Sequence, residues 1–260
     1  MSTHDCISAV FCRVDEVMGT EPKHPQAYLY PSEVVTLALL FALKGSSTRA
    51  FYCWIVRDDR CLFPRLPERT RLLRLFATHR AWADYVLAEP TVLGVADRYG
   101  SELVHPMREG RSPQQSGRNG TSNHRWVVGV KLAYLVNQHG LIVAWDSAPA
   151  NVYDAVFQSL IADFADDMVV FTDMGFHAKT GDPPTMQACP RNTGNVRMVV
   201  EMVLSMLTRV CQVKNITQRR WPYVVARLRV TMALFNLLVQ WDGLPVTGGH
   251  VSLSIAQFSL

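Results

Sequence analysis

The sequence predicts an α/β fold, a mixed sheet flanked by helices and preceded by a helical region. Three observations predict it. Two short apolar runs, TVLGVAD from Thr91 and MVVFTD from Met168, each end in an acid, as buried strands in a sheet covered on both faces do. Between them, Trp126–Val136 and Leu141–Trp145 are apolar runs separated by Asn137, Gln138, His139 and Gly140, a hairpin signal. Before and after this stretch the apolar residues recur at helical spacing.

Taken in order, residues 1–88 read as a helical N-terminal region. Pro31, Ser32 and Glu33 open a helix through Val34–Lys44 that stops at Gly45. A second helix covers Thr48–Arg57, and a third runs from about Pro67 to Leu87. Arg65, Arg69, Arg71, Arg74 and Arg80 crowd this third segment. Arginines so placed can offset phosphate charge on DNA, and the same pattern fits a solvated face.

Residues 89–260 read as a second region. Its first strand closes at Asp97. Met107–Asn123 is polar and Gly-rich and reads as a loop. After the hairpin, Asn151 reads as the N-cap of a helix over Val152–Phe164. A strand then closes at Asp173, and Thr185–Cys189 reads as one more strand. Asn195–Val210 and Pro222–Trp241 read as apolar helices. Strand, hairpin, helix, strand, strand, helix is the order of a mixed sheet covered by helices, and of an RNase H-like domain.

Bulk properties narrow the function. With 48% hydrophobic and 18% charged residues, the chain can build a large core and is not a disordered tail. A net charge of +4 is compatible with nucleic acid without requiring it. The six cysteines have no CxxC pair and read as reduced thiols. The start MSTHDCISAV lacks a basic segment followed by an apolar run, and Val34–Leu43 falls short of the roughly 20 apolar residues of a membrane span. A soluble, cytoplasmic protein with no membrane partner is expected. No Ser-His-Asp set or phosphate-cradling glycine loop is recognisable, and the glycines of GVADRYG do not fit a dinucleotide fingerprint.

The acids carry the chemistry. If the strands ending at Asp97 and Asp173 are parallel neighbours, both carboxylates emerge at one sheet edge. Two carboxylates held together repel unless a cation neutralises them, and hard oxygen ligands suit Mg²⁺ or Mn²⁺. Glu201 lies beside the stripe Val200, Val203, Leu207 and Val210 of an otherwise apolar helix, which can carry it to the same edge. Read singly, each Asp fits a turn or cap residue and Glu201 fits an i−4 pair with Arg197; in this order the three point to a shared metal site.

Several segments resemble the DDE transposases of bacterial insertion sequences, which have an RNase H-like catalytic fold. VADRYG resembles that family's first-Asp strand, and HRWVVGVKLAYLVNQHGLIVAWDSAPANVYDA its hairpin followed by an Asn-x-x-Asp at a helix start. VVFTDMGFHAKTGD resembles its second-Asp motif, and CPRNTGNVRMVVEMVLSML its third segment, with an Arg four positions before the Glu. Gly194 and Thr208 stand where related families have a Tyr and a Lys.

The resemblance implies a catalytic triad of Asp97, Asp173 and Glu201 holding two Mg²⁺ ions, with Mn²⁺ able to substitute. It implies cleavage at transposon ends, strand transfer into target double-stranded DNA, a homodimer in the DNA complex, and a bacterial, nucleoid-associated location when bound. Arg197 matches the signature arginine. Candidate DNA contacts are Arg69, Arg71 and Arg74 for the transposon end, Arg118 and Arg125 near the cut, and Lys131, His177 and Lys179 around the scissile phosphate. An RNase H-like nuclease without strand transfer, or a catalytically silent DNA-binding remnant of a transposon, stands as the alternative.

Overall fold

The computed structural model describes residues 3–19, 21–110, 118–122, 125–189, 194–241, 246–247, 250–251 and 258. The N-terminal region opens with α1 (Thr3–Met18), whose Ile7, Val10, Val14 and Met18 form one buried stripe. α2 (Pro31–Lys44) starts where the sequence places it: the Tyr30 backbone N–H donates to Glu33 Oε2 at 2.6 Å, and the helix stops at Gly45 with φ 60°. Nearly all of α2 is buried, as its apolar run, interrupted only by Thr36, requires. α3 (Thr48–Asp58) is capped by Ser47, whose Oγ accepts from Ala50 N at 3.3 Å.

The single helix expected over Pro67–Leu87 is broken. α4 (Arg69–Thr78) ends at His79, and residues 80–86 continue as a 3-10 segment. The change of direction lets Asp84 meet Arg229 Nε at 3.2 Å and brings the Val86 carbonyl to Asn236 Nδ2 at 3.1 Å. The His79 ring stacks on Trp82 at 4.0 Å across the break.

One sheet follows. It contains β1 (Leu93–Val104), β2 (Arg118–Ser122), β3 (Arg125–Asn137), β4 (Ile142–Pro149), β5 (Val169–Asp173) and β6 (Met186–Cys189). Its order is β2-β3-β1-β5-β6. β2 covers Arg125–Gly129 of β3 and β4 covers Val130–Val136, so the two share one edge of β3 end to end. β1 is antiparallel to β3 and parallel to β5, and β5 is parallel to β6. The hairpin turn uses Gly140 at φ 75°, and Asn137 Oδ1 accepts from His139 N and Leu141 N at 3.0 Å each.

Three boundaries differ from what the sequence predicts. β1 does not close at Asp97 but runs on to Val104, because β3 supplies ladder partners from Gly94↔Asn137 to Val104↔Val128. The stretch read as a loop over Met107–Asn123 contains β2, while residues 111–117 and 123 lie outside the described residues. The helix expected over Val152–Phe164 is a 3-10 segment (Asp154–Phe157) leading into the short α5 (Gln158–Ala162). Burial of Phe157, Leu160 and Ile161 against the sheet, together with the ion pairs of Asp154, fixes that irregular path.

Two further helices follow, α6 (Gly194–Arg209) and α7 (Trp221–Val239), and then a short antiparallel pair, β7 (Val246–Thr247) and β8 (His250–Val251). Side chains of β3 alternate between faces. Val130, Leu132, Tyr134 and Val136 join a large core with α1, α2, α3, α4, α6 and α7. Ala133 and Leu135 join a smaller core with Phe157, Leu160, Ile161, Met168 and Phe176. Both faces are covered, which explains why the strands read as continuous apolar runs. α7 is long and apolar enough to span a membrane by composition, but it is largely buried within this core. It packs on α2 and on residues 80–86, so residues 1–88 share their core with the C-terminal part of the chain. Asn236 ties the layers: its Oδ1 accepts from Ile142 N at 2.8 Å and its Nδ2 donates to the Ile142 carbonyl at 2.7 Å.

Candidate functional site

The parallel register of β1 and β5 builds the site. Leu93 pairs with Val169, Gly94 with Val170 and Val95 with Phe171. Two residues farther along each strand stand Asp97 and Asp173. β5 ends at Asp173, while β1 passes on along β3. The strands that carry the two acids are parallel neighbours, the condition the sequence reading set; Asp97, however, stands within its strand and not at its end.

Asp97 is half-buried on the face that α6 covers. Its register partner on β3 is Tyr134, whose hydroxyl lies 3.5 Å from Asp97 Oδ2. Burial, reinforced by the negative charge of Asp173, pushes the Asp97 carboxyl up to about 6, against the lowering effect of the Arg98 backbone N–H. The buried Tyr134 hydroxyl is pushed well above the usual phenol range, by burial and then by the Asp97 charge. Asp173 is more open; its Oδ1 accepts from Gly175 N at 3.0 Å, a bond that caps the turn after β5.

Alternation sends Arg98 to the other face, where it carries the second half of the site. Its guanidinium forms an ion pair with Asp154 and reaches Asp173 Oδ2 at 3.3 Å. Lys131, opposite Gly100 in the ladder, lies on the same face. Its Nζ lies 2.9 Å from Asp154 Oδ1 and donates to the Val152 carbonyl at 2.7 Å. Burial, then the Arg98 charge, holds the Lys131 ammonium below its ordinary value. Lys131, Asp154, Arg98 and Asp173 thus form one chain of alternating charge beside the end of β5, and the parallel register puts Asp97 level with Asp173 on the neighbouring strand.

The other candidates are dispersed. Glu201 lies on the exposed side of α6, whose Val200, Val203 and Leu207 are buried. α6 packs on β1, so Glu201 belongs to the layer above Asp97. Among the described residues no three His, Cys, Asp or Glu side chains form a group that could hold a metal ion. The donor chemistry of Asp97 and Asp173 does fit a divalent cation: hard oxygens from two carboxylates, one of them disfavoured as an anion by burial and by its neighbour.

Arg69, Arg71 and Arg74 are exposed on α4, which packs on α2, α3 and α7, and Arg71 lies over the Tyr28 ring at 4.5 Å. Arg118 and Arg125 sit on β2 and β3, and Arg197 on α6, but their side chains lie outside the described residues. His177 Nδ1 is 2.7 Å from Asp182 Oδ2. Asp182 also accepts from Ala178 N at 3.0 Å and Gln158 Nε2 at 2.7 Å, which braces the loop that exposes Lys179.

Sequence reasoning missed the roles of Arg98, Tyr134 and Asp154. Arg98 and Asp154 lie inside VADRYG and the Asn-x-x-Asp segment. Period-two alternation from Asp97 puts Arg98 on the opposite face, where only a partner acid could justify its burial. No protein-family model and no curated protein matches the chain.

Proposed function

We propose that the chain is a DDE-type DNA transposase with an RNase H-like catalytic fold. The observation that carries the reading is the placement of Asp97 and Asp173 on adjacent parallel strands, with Asp97 pushed up to about 6 by burial and by its neighbour. The strand pattern supports it: antiparallel strands β4, β3 and β1 followed by parallel β5 and β6, with helices on both faces.

In this reading Asp97 and Asp173 hold Mg²⁺ or Mn²⁺, and Glu201 joins them from α6. Bound divalent ions supply an activated water and neutralise charge on the phosphodiester undergoing in-line displacement. The chain's own residues do the rest. Tyr134 donates toward Asp97 Oδ2 and fixes that carboxylate's orientation. Gly175 N fixes Asp173. The Lys131–Asp154–Arg98 ion pairs brace the strand end behind them. The substrate is double-stranded DNA, both transposon ends and target, gripped by a homodimer.

The test is cleavage of DNA carrying the sequences that flank the reading frame, with Mg²⁺ or Mn²⁺. Asp97→Asn, Asp173→Asn and Glu201→Gln are each expected to abolish cleavage while leaving DNA binding largely intact. Full cleavage in any one of them removes that residue from the site. Since no three ligand side chains are grouped among the described residues, a second reading has an observation in its favour: a DNA-binding transposon remnant without cleavage activity. Metal-dependent nicking by the wild-type chain excludes it, and strand transfer from a pre-cut end separates a transposase from a nuclease.

A further inference from the structure

We infer that Arg98 is a built-in competitor for the metal site: it holds Asp173 in an internal ion pair and must release it before a divalent cation is fully bound. The inference rests on the reading of Asp97 and Asp173 as metal-holding acids.

The Arg98 guanidinium is about one-third exposed and forms ion pairs with Asp154 on one side and Asp173 on the other. Asp154 is shared between two cations, with Lys131 Nζ 2.9 Å from its Oδ1 and Arg98 at its Oδ2. The bond to Asp173 is long and open, 3.3 Å to a carboxylate that is half exposed. Arg98 is therefore anchored at its Asp154 end and releasable at its Asp173 end.

The backbone makes room for this. A Cβ at Gly175 would meet Arg98 Nη2, stand 2.8 Å from its Cζ and 3.1 Å from Asp173 Oδ1. Gly175 thus permits the guanidinium to lie against the turn that presents Asp173. A guanidinium and a hydrated divalent ion both seek the same Oδ2, and occupation by one weakens the other by mass action. When Arg98 lets go, its freed donors sit beside the metal site, where a phosphate oxygen of bound DNA can take the place of the Asp173 carboxylate. Arg98 acts through Asp173 and is a positioning residue.

The experiment is Mn²⁺ binding to the full chain without DNA, followed by the spin-resonance signal of free Mn²⁺. Wild type, Arg98→Ala, Gly175→Ala and Asp97→Asn are compared, with near-ultraviolet circular dichroism to check the fold. Arg98→Ala is expected to bind Mn²⁺ roughly fivefold more tightly, the size of a partly exposed ion pair. Gly175→Ala, which keeps every charge but pushes the guanidinium aside, is expected to tighten binding by a smaller factor. Unchanged or weaker binding by both folded variants overturns the inference and leaves the metal site standing. Mn²⁺ bound equally by wild type and Asp97→Asn, or by neither, overturns the metal site and the inference with it.

Discussion

The arginines of α4 and the cations of β1 and β3 are the same chemistry in two settings. Arg69, Arg71 and Arg74 stand in solvent, and Arg71 lies over the Tyr28 ring. Arg98 and Lys131 are drawn into the protein, where each is held by Asp154. In water an ion pair gains little, because the solvent already screens the charge. In a half-buried strand end the same charge must be paired, and removing one partner leaves the other stranded. Exposed arginines are therefore available to a polyanion at once, while Lys131 is committed within the fold and Arg98 is held between Asp154 and Asp173. A cluster of basic residues marks a binding face only where its members are not held by internal acids.

Asp97 is held as an anion that its surroundings disfavour. A carboxyl raised from its ordinary value to about 6 costs nothing at pH well below about 4, where it is protonated in both states. The cost grows as pH rises through 4 to 6 and is complete above about 6, where it reaches up to about 3 kcal/mol. Asp97→Asn is therefore expected to melt higher than wild type at pH 8 in the presence of a chelator, and nearly level with it at pH 4. Thermal melts at both values decide it; an equal or lower melting temperature at pH 8 shows that Asp97 is not a strained anion.

Lys131→Met comes next. It keeps the side chain's length and removes the ammonium beside Asp154, whose side chain is only 15% exposed. The expected loss is about 2 kcal/mol, below the value for a fully buried pair because Arg98 remains and water reaches the edge. Urea unfolding measures it. A loss under about 0.5 kcal/mol, the range of ordinary surface substitutions, would place Lys131 with the α4 arginines and erase the contrast.

Replacing Arg69, Arg71 and Arg74 together by alanine should change stability least, within about 0.5 kcal/mol for each exposed site. Its effect belongs to DNA. The salt dependence of binding is expected to flatten by about 0.9 in log–log slope for each phosphate that these side chains neutralise in the wild type. Binding with unchanged affinity and slope would make α4 a solvated face.

Most of the strands were legible because their residues are apolar on both faces and bounded by turn residues. β3, β4, β5 and β6 fall within a few residues of their expected spans. β1 is longer than its sequence predicts because RYGSELV after Asp97 is polar and carries no strand signal of its own. It is a strand because β3 is long enough to pair with it. The segment from Pro67 to Leu87 has unbroken helical character, and nothing local announces the break at His79. Asp84 and Val86 find their partners on α7, some 150 residues away in the chain. Of the site, Asp97 and Asp173 were visible as acids closing apolar runs. Tyr134 reads as one more residue of an apolar strand, and nothing in the sequence around Arg98 points to its partner acids.

By itself, the sequence determined which segments are buried strands and apolar helices, since burial on one face or both leaves a period that can be counted. It also determined that two acids follow apolar runs of similar length, so that parallel pairing would bring them level. Only the tertiary structure decided which face each neighbouring side chain takes and what meets it there. Whether Arg98 and Lys131 serve DNA or the fold depends on Asp154, which arrives from beyond the hairpin. Charge pairs across a sheet are made by contacts distant in the chain, and such contacts leave no local pattern.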